Sequence, residues 1–150
     1  MEILMEENST YAQKLTSRGI RPSVQRIAIY KFLCENKIHP TVDTVFKSLY
    51  PDYPTLSRTT VYNTLHLFAL QNLIQTVKIE DDEIRYDADV ISHGHFKCVT
   101  CGRIFDIFDD VQIPEIFDKT DSLLPQGFKS VQKELNVWGY CKDCSNPCGS

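Results

Sequence analysis

Ser57-Arg58-Thr59-Thr60-Val61-Tyr62-Asn63-Thr64-Leu65 is the stretch whose reading decides the fold of the first half of this chain. Ser57 is a short side-chain acceptor just ahead of a helical pattern, so it predicts the cap of a helix over 58–71. Val61, Leu65, Phe68 and Ala69 fall on one side of that helix and are predicted to be buried. Arg58, Thr59, Thr60, Tyr62 and Asn63 are left exposed near its N-terminal end. An arginine, a tyrosine and short polar groups at a helix start suit insertion into a major groove, where phosphates meet the helix N-terminus and side chains meet base edges. The bland alternative is a polar helix face that simply meets water.

Three further helical patterns precede this one. Ser9-Thr10 predicts the cap of a helix over 11–17, which Gly19 stops. A second covers 23–36, with Val24, Ile27, Ala28, Tyr30, Phe32 and Leu33 as its apolar stripe. Pro40-Thr41 opens a third, in which Val42, Val45, Phe46 and Leu49 stand at helical spacing until Pro51 forbids continuation. After the fourth helix come two β-branched stretches, 73–79 and 83–87, separated by the acidic turn Glu80-Asp81-Asp82. Helices followed by a hairpin are the order of a winged helix-turn-helix. His66, alone on the fourth helix, reads as a surface or packing residue.

Bulk properties agree with a folded protein of one ordinary domain or two small ones: 150 residues, 42% apolar and 24% charged. The acidic start lacks a basic n-region and no stretch reaches membrane-spanning length, so the expectation is a soluble, cytoplasmic protein with no membrane partner. The net charge of −4 argues against a general nucleic-acid coat, but its distribution is uneven. Residues 10–63 hold eight basic against three acidic side chains, a balance of +5; residues 89–150 hold six against nine, a balance of −3. A basic half joined to an acidic half suggests a binding domain with a separate regulatory or assembly domain. The predicted division is 1–88 and 89–150, in an α+β architecture.

The acidic half carries Cys98-x-x-Cys101 and Cys141-x-x-Cys144, separated by 39 residues. Two thiolates three residues apart grip one ion from a single turn, and two such turns close a tetrahedral sulfur shell suited to structural zinc. The alternatives are two disulfides or a redox pair; no secretory signal or βαβ context favours either. Of the other thiols, Cys34 reads as a small core residue, and Cys148 has no evident partner. A second donor set is richer in nitrogen and oxygen. In His93-Gly94-His95 the two imidazoles share one side of a strand, and Asp87, Asp106 and His39 stand in the nearby segments Arg85-Tyr86-Asp87, Ile104-Phe105-Asp106 and Ile38-His39-Pro40. Three imidazoles and two carboxylates favour Fe(II) or Mn(II), and two carboxylates balance one divalent charge. The alternative is that His-x-His flanks the zinc turn without a ligand.

Together these residues resemble the ferric uptake regulator family of metal-dependent bacterial repressors, over nearly the whole chain. The motifs are Arg21-Pro22-Ser23-Val24-Gln25-Arg26, His39-Pro40-Thr41-Val42-Asp43, the segment from Ser57 to Leu65, Arg85-Tyr86-Asp87, His93-Gly94-His95-Phe96-Lys97-Cys98 and Gly139-Tyr140-Cys141. Within the family the chain is most similar to the peroxide-stress repressors, whose sensing site falls on His39, Asp87, His93, His95 and Asp106. Asn63 and Asp106 match that branch; the iron-uptake branch more often has arginine and glutamate there. Two departures stand out: Val24 where the family has proline, and no histidine in 128–134, which puts an additional histidine-based metal site in doubt.

The resemblance implies a homodimer that binds two-fold-related operator DNA through Arg58, Thr59, Thr60, Tyr62, Asn63 and Arg21. The C-terminal half would carry the four-cysteine zinc site, two or more strands and a helix over 111–123. A regulatory Fe(II) or Mn(II) would join His39 and Asp87 to His93, His95 and Asp106. Peroxide acting on the iron form would oxidise His39 or His93 and end repression. The competing expectations are a regulator of iron, manganese or zinc availability without peroxide chemistry, and a metalloenzyme using the same ligands. Against the enzyme stand the missing general base outside the ligand set and the complete helix for reading DNA.

Overall fold

The computed structural model describes residues 2–109 and 111–144, which fall into two compact units, Met1–Val90 and Ile91–Ser150. Cys148 lies outside the described residues.

In the first unit, helix α1 runs Glu2–Ser17, well upstream of the predicted start. Ser9 and Thr10 are therefore inside a helix and do not cap one. The Thr10 hydroxyl donates back to the Glu6 carbonyl at 3.1 Å, which satisfies it without breaking the helix. Gly19, at φ +71, supplies the left-handed residue that ends α1, while the Ile20 amide bonds the Leu15 carbonyl. Helix α2 (Val24–Glu35) is capped by the Ser23 hydroxyl on the Arg26 amide. Val24 does not belong to its buried stripe: at the first helical position it is 71% exposed, and Ile29 takes the core position. Helix α3 (Val42–Leu49) is capped by Thr41, and α4 (Arg58–Leu70) by Ser57. These caps satisfy amides that have no partner within the helix, each worth about 1 kcal/mol.

Strands β1 (Gln75–Val77) and β2 (Arg85–Asp87) form an antiparallel ribbon in which Thr76 faces Tyr86. They are shorter than the predicted strands. Leu73, Ile74 and Ile79 are buried outside the ladder, so their apolar character reflects core burial and not strand pairing. The core gathers Leu15, Ile29, Leu33, Val45, Val61, Leu65, Phe68, Ile74 and Tyr86. Phe68 is fully buried and receives the Tyr30 ring edge-on at 5.9 Å. Helices packed on a hairpin over one core make this unit a winged helix.

The second unit is a three-stranded sheet in the order β4-β3-β5. Strand β3 (Gly94–Cys98) runs antiparallel to β4 (Ile104–Ile107) and parallel to β5 (Asn136–Gly139). A parallel neighbour requires a crossover, which contains helix α5 (Gln112–Ser122), anchored by the buried Ile113. Lys133 fastens the return segment by donating to the Phe117 carbonyl at 2.7 Å and pairing with Asp121. A Cβ at Gly139 would come within 3.1 Å of the Phe96 ring, so a larger residue there requires that ring to shift by a few tenths of an ångström. Phe96 faces Phe105 on one side and Val137 on the other, giving an apolar row across all three strands. Among the described residues, no helix is long and apolar enough to cross a membrane.

Candidate metal centres and nucleic-acid face

The parallel register of β3 and β5 sets Cys98 beside Gly139, so both Cys-x-x-Cys turns leave the sheet at the same end. Gly102, at φ +73, closes the first turn, with its amide on the Cys98 carbonyl. In the second, the Cys144 amide bonds the Cys141 carbonyl at 2.9 Å. One sulfur from each of Cys98, Cys101, Cys141 and Cys144 lies within 4.8 Å of the other three, and none of the four is in a disulfide. All four sulfurs converge on one point instead of forming two separate pairs, which is the arrangement a single ion requires.

The protonation chemistry of the cluster fits a dication. Backbone amides of Cys101 and Cys141 point at the Cys98 sulfur and lower its pKa to about 6. Cys101 is lowered chiefly by the Arg103 guanidinium. Cys144 moves the other way, to about 12, first because of its hydrogen bond with the Cys141 sulfur. Some of the thiols ionise readily while another keeps its proton as long as nothing offsets the gathered negative charge. A divalent ion takes the place of that proton. Four sulfur donors with no fifth ligand are the shell of a structural zinc site.

The oxygen and nitrogen donors are arranged within each unit separately. In the first unit, His39 follows α2 with φ +52, a left-handed turn unusual for a residue with a Cβ. Strand β2 is stitched to that turn: the Tyr86 amide donates to the Pro40 carbonyl at 3.0 Å, and Arg85 Nη1 to the His39 carbonyl at 3.2 Å. The result brings Asp87 Oδ2 to 3.3 Å from His39 Nε2, with both side chains almost wholly buried. The Asp87 Oδ1 atom accepts from the Asp89 amide at 2.8 Å, which fixes the carboxylate's orientation.

In the second unit, His95 and Asp106 are register partners on β3 and β4, with His95 Nε2 3.5 Å from Asp106 Oδ1. His93 Nε2 reaches the same oxygen at 3.0 Å. Its Nδ1 lies 2.6 Å from the Ile91 carbonyl, which can only accept, so Nδ1 carries a proton and Nε2, beside the Asp106 carboxylate, is the nitrogen that would face an ion. Phe108 stacks on the His93 ring at 4.6 Å, and the His95 ring meets it at 4.5 Å. Gly94 lets Leu135 pack closely on β3, since a Cβ there would lie 3.0 Å from Leu135 Cδ2 and push that side chain aside. His39, Asp87, His93 and His95 are all buried, and water does not repay burial of that much polarity; the donor chemistry fits an ion of the Fe(II) or Mn(II) class.

The exposed start of α4 has the expected residues with two modifications. Thr60 is half-buried, and its hydroxyl lies 2.9 Å from Ser57 Oγ, so it belongs to the cap more than to the free surface. Arg58 does not extend freely: Nε and Nη2 both donate to Asp43 Oδ1, at 3.1 and 2.8 Å, and its guanidinium lies 4.4 Å above the Phe46 ring. Thr59, Tyr62 and Asn63 are exposed, as is Arg21, whose carbonyl accepts from Arg26 Nη1 at 2.8 Å. A polar groove of about 380 Å³ runs between the starts of α2 and α4, lined by Ser23, Gln25, Arg26, Thr60, Asn63 and Thr64. Sequence reading missed Asp43, Gln25 and Arg26 as partners of this face, and Phe108 and Arg103 as partners of the donor clusters. His66 is exposed, as expected for a surface residue, and stacks on Tyr62 with ring planes 4° apart. Cys34 is half-buried with its thiol pKa raised by burial, the signature of an unreactive packing residue.

The fold and the two donor chemistries define a winged-helix, metal-binding protein. A family model described as the ferric uptake regulator family matches residues 17–138, and the chain belongs to that family. The peroxide-responsive repressor PerR of Staphylococcus saprophyticus is 33% identical over 132 residues, covering 88% of this chain and 87% of the relative. The PerR of Staphylococcus aureus is 30% identical over 146 residues, 97% of each chain. Among solved structures, the ferric uptake regulator from Francisella tularensis with iron aligns with a TM-score of 0.69 at 26% identity, over 84% of this chain and 95% of that one. The Helicobacter pylori ferric uptake regulator aligns with a TM-score of 0.73 over 98% and 96%, and at 20% identity bears on the fold alone.

Proposed function

We propose that this chain is a metal-dependent, DNA-binding transcriptional repressor that senses peroxide through iron-catalysed oxidation of its histidine ligands. The observation that carries the reading is the pairing of buried imidazole with carboxylate in each unit, His39 with Asp87 and His93 and His95 with Asp106. Only five residues separate Asp87 from His93, so one ion drawing on all five side chains would tie the winged helix of 1–88 to the dimerisation and metal-binding half of 89–150. Zinc would remain on Cys98, Cys101, Cys141 and Cys144, and Fe(II) or Mn(II) would occupy the five-residue site. The likeness to two PerR proteins supports the peroxide signal.

The DNA face would consist of Arg58, Thr59, Thr60, Tyr62, Asn63 and Arg21. Asp43 and Phe46 would hold Arg58 for its target, so that little conformational entropy is lost on binding. The apolar row Phe96, Phe105 and Val137, with Phe105 and Val137 still exposed, supports a homodimer built on the second unit. Metal and operator would favour the same arrangement of the units, so each would raise affinity for the other.

Fe(II), when bound, would supply the redox catalysis that splits the peroxide O–O bond, with the imidazole ring as the net two-electron donor; Mn(II) does not do this readily. His39 and His93 would take up the oxygen: one atom enters an imidazole ring and one water is released for each peroxide consumed. An oxidised ring is a poorer ligand, and the two units would uncouple. A second reading keeps the repressor but makes iron, manganese or zinc availability the signal, which the likeness to the iron-containing Francisella tularensis regulator favours. Operator affinity measured on Fe(II)- and Mn(II)-loaded protein, with and without a peroxide pulse, separates the two. Loss of about 5–150-fold in the iron form alone is expected, the ordinary range of such coupling; equal affinities throughout would establish the second reading.

A further inference from the structure

Arg103 stands two residues after Cys101 and has no part in the ligand sets above. Its Nε donates to Cys101 Sγ at 3.3 Å and its Nη2 to Cys141 Sγ at 3.5 Å, so one guanidinium spans the two Cys-x-x-Cys turns. The same Nη2 donates to Asp143 Oδ2 at 2.7 Å, and the guanidinium carbon lies 5.4 Å from the centre of the Phe105 ring. Cys101 is exposed, and its sulfur is 3.8 Å from that of Cys141. Four thiolates around one zinc carry two net negative charges, and these two sulfurs are close enough to become a disulfide. We propose that Arg103 is the positioning residue that keeps the zinc centre closed to peroxide, so that oxidation is confined to the histidine site; this rests on the zinc reading of the four cysteines.

The physical basis is that N–H donors draw electron density from thiolate sulfur. A sulfur so engaged is a weaker nucleophile towards the O–O bond, and a fixed positive charge offsets the anionic cluster. In the reaction held back, Cys101 and Cys141 thiolates give two electrons to one hydrogen peroxide, an S–S bond forms, and the O–O bond breaks. Two protons complete two waters, and the oxidised sulfur pair would no longer hold a zinc ion. Lysine cannot replace arginine fully, because a point charge does not span two sulfurs and a carboxylate as a planar fork does.

The test follows zinc transfer to a chromogenic chelator from zinc-loaded wild type, Arg103→Met and Arg103→Lys during exposure to hydrogen peroxide. The cobalt-substituted forms are examined in parallel by absorption. Arg103→Met is expected to release zinc about 10-fold faster, the lower end of the effect of losing a ligand's hydrogen-bond partner, with Arg103→Lys in between. The sulfur-to-cobalt charge-transfer band is expected to move to lower energy in Arg103→Met, a change that a loss of packing alone does not cause. Should Arg103→Met fail to fold, Arg103→Lys decides the matter. Release rates and bands equal to wild type in the folded variants would overturn the proposal. A wild type that binds no zinc would instead overturn the zinc reading itself.

Discussion

Cys98→Ser is expected to abolish zinc binding and, with it, the fold of the second unit. Cys98 is fully buried at the end of β3 and receives the Cys141 amide on its sulfur at 3.4 Å, so serine leaves three donors around a cavity shaped for sulfur. Structural zinc held by such sites contributes about 10–16 kcal/mol of apparent binding free energy, as much as the roughly 5–15 kcal/mol that holds an ordinary domain folded. The unit has little to set against that loss. Among the described residues its buried apolar side chains are few beside those of the winged helix, and Ile113 is the one buried residue of α5. Zinc content by mass spectrometry should fall from one ion per chain to none, and amide exchange should lose its protection in 94–98 and 136–139 while α2 and α4 keep theirs. Wild-type protection in the sheet of a zinc-free variant would show that the strands stand without the ion.

His39→Ala is expected to have the second largest effect, and the opposite pattern. The residue is 3% exposed and faces Asp87 from a left-handed turn, so alanine removes one imidazole and leaves the carboxylate buried. Zinc on the four cysteines should be unaffected. Affinity for Mn(II) should drop by more than about 100-fold, since loss of even a ligand's hydrogen-bond partner costs 10–100-fold. Operator affinity at a fixed manganese concentration should fall towards the metal-free value. Titration of Mn(II) by calorimetry, followed by operator binding at each metal level, gives both numbers. A variant with wild-type manganese affinity would remove His39 from the regulatory site.

What could be read from the chain was whatever depends on neighbours in sequence. Ser57 caps α4 as read because one hydroxyl and one amide three residues on suffice, and Thr41 caps the helix that Pro40-Thr41 opens, whereas Ser23, read as the first residue of α2, is its cap. The start of α1 was misplaced because the same signal, Ser9-Thr10, serves equally inside a helix when the hydroxyl turns back to a carbonyl. The four cysteines were legible from spacing, since donor type and turn length state the chemistry. Which carboxylate meets which imidazole was not legible. The contact of His95 with Asp106 follows from the β3–β4 register, and that of His39 with Asp87 from a turn stitched to β2. Arg58 illustrates the same limit: its exposure at a helix start was readable, but its attachment to Asp43 and Phe46 arises only where α3 packs on α4. Arg103 reaches Cys141 only because β5 lies parallel to β3.

The most direct test of the account is peptide-mapped mass spectrometry of Fe(II)- and Mn(II)-loaded protein before and after a brief peroxide pulse. One added oxygen is expected on His39 or His93 in the iron form and none in the manganese form, with zinc retained in both. Unmodified histidines in iron-loaded protein that still binds its operator would contradict this expectation, and would make the chain a regulator of metal availability.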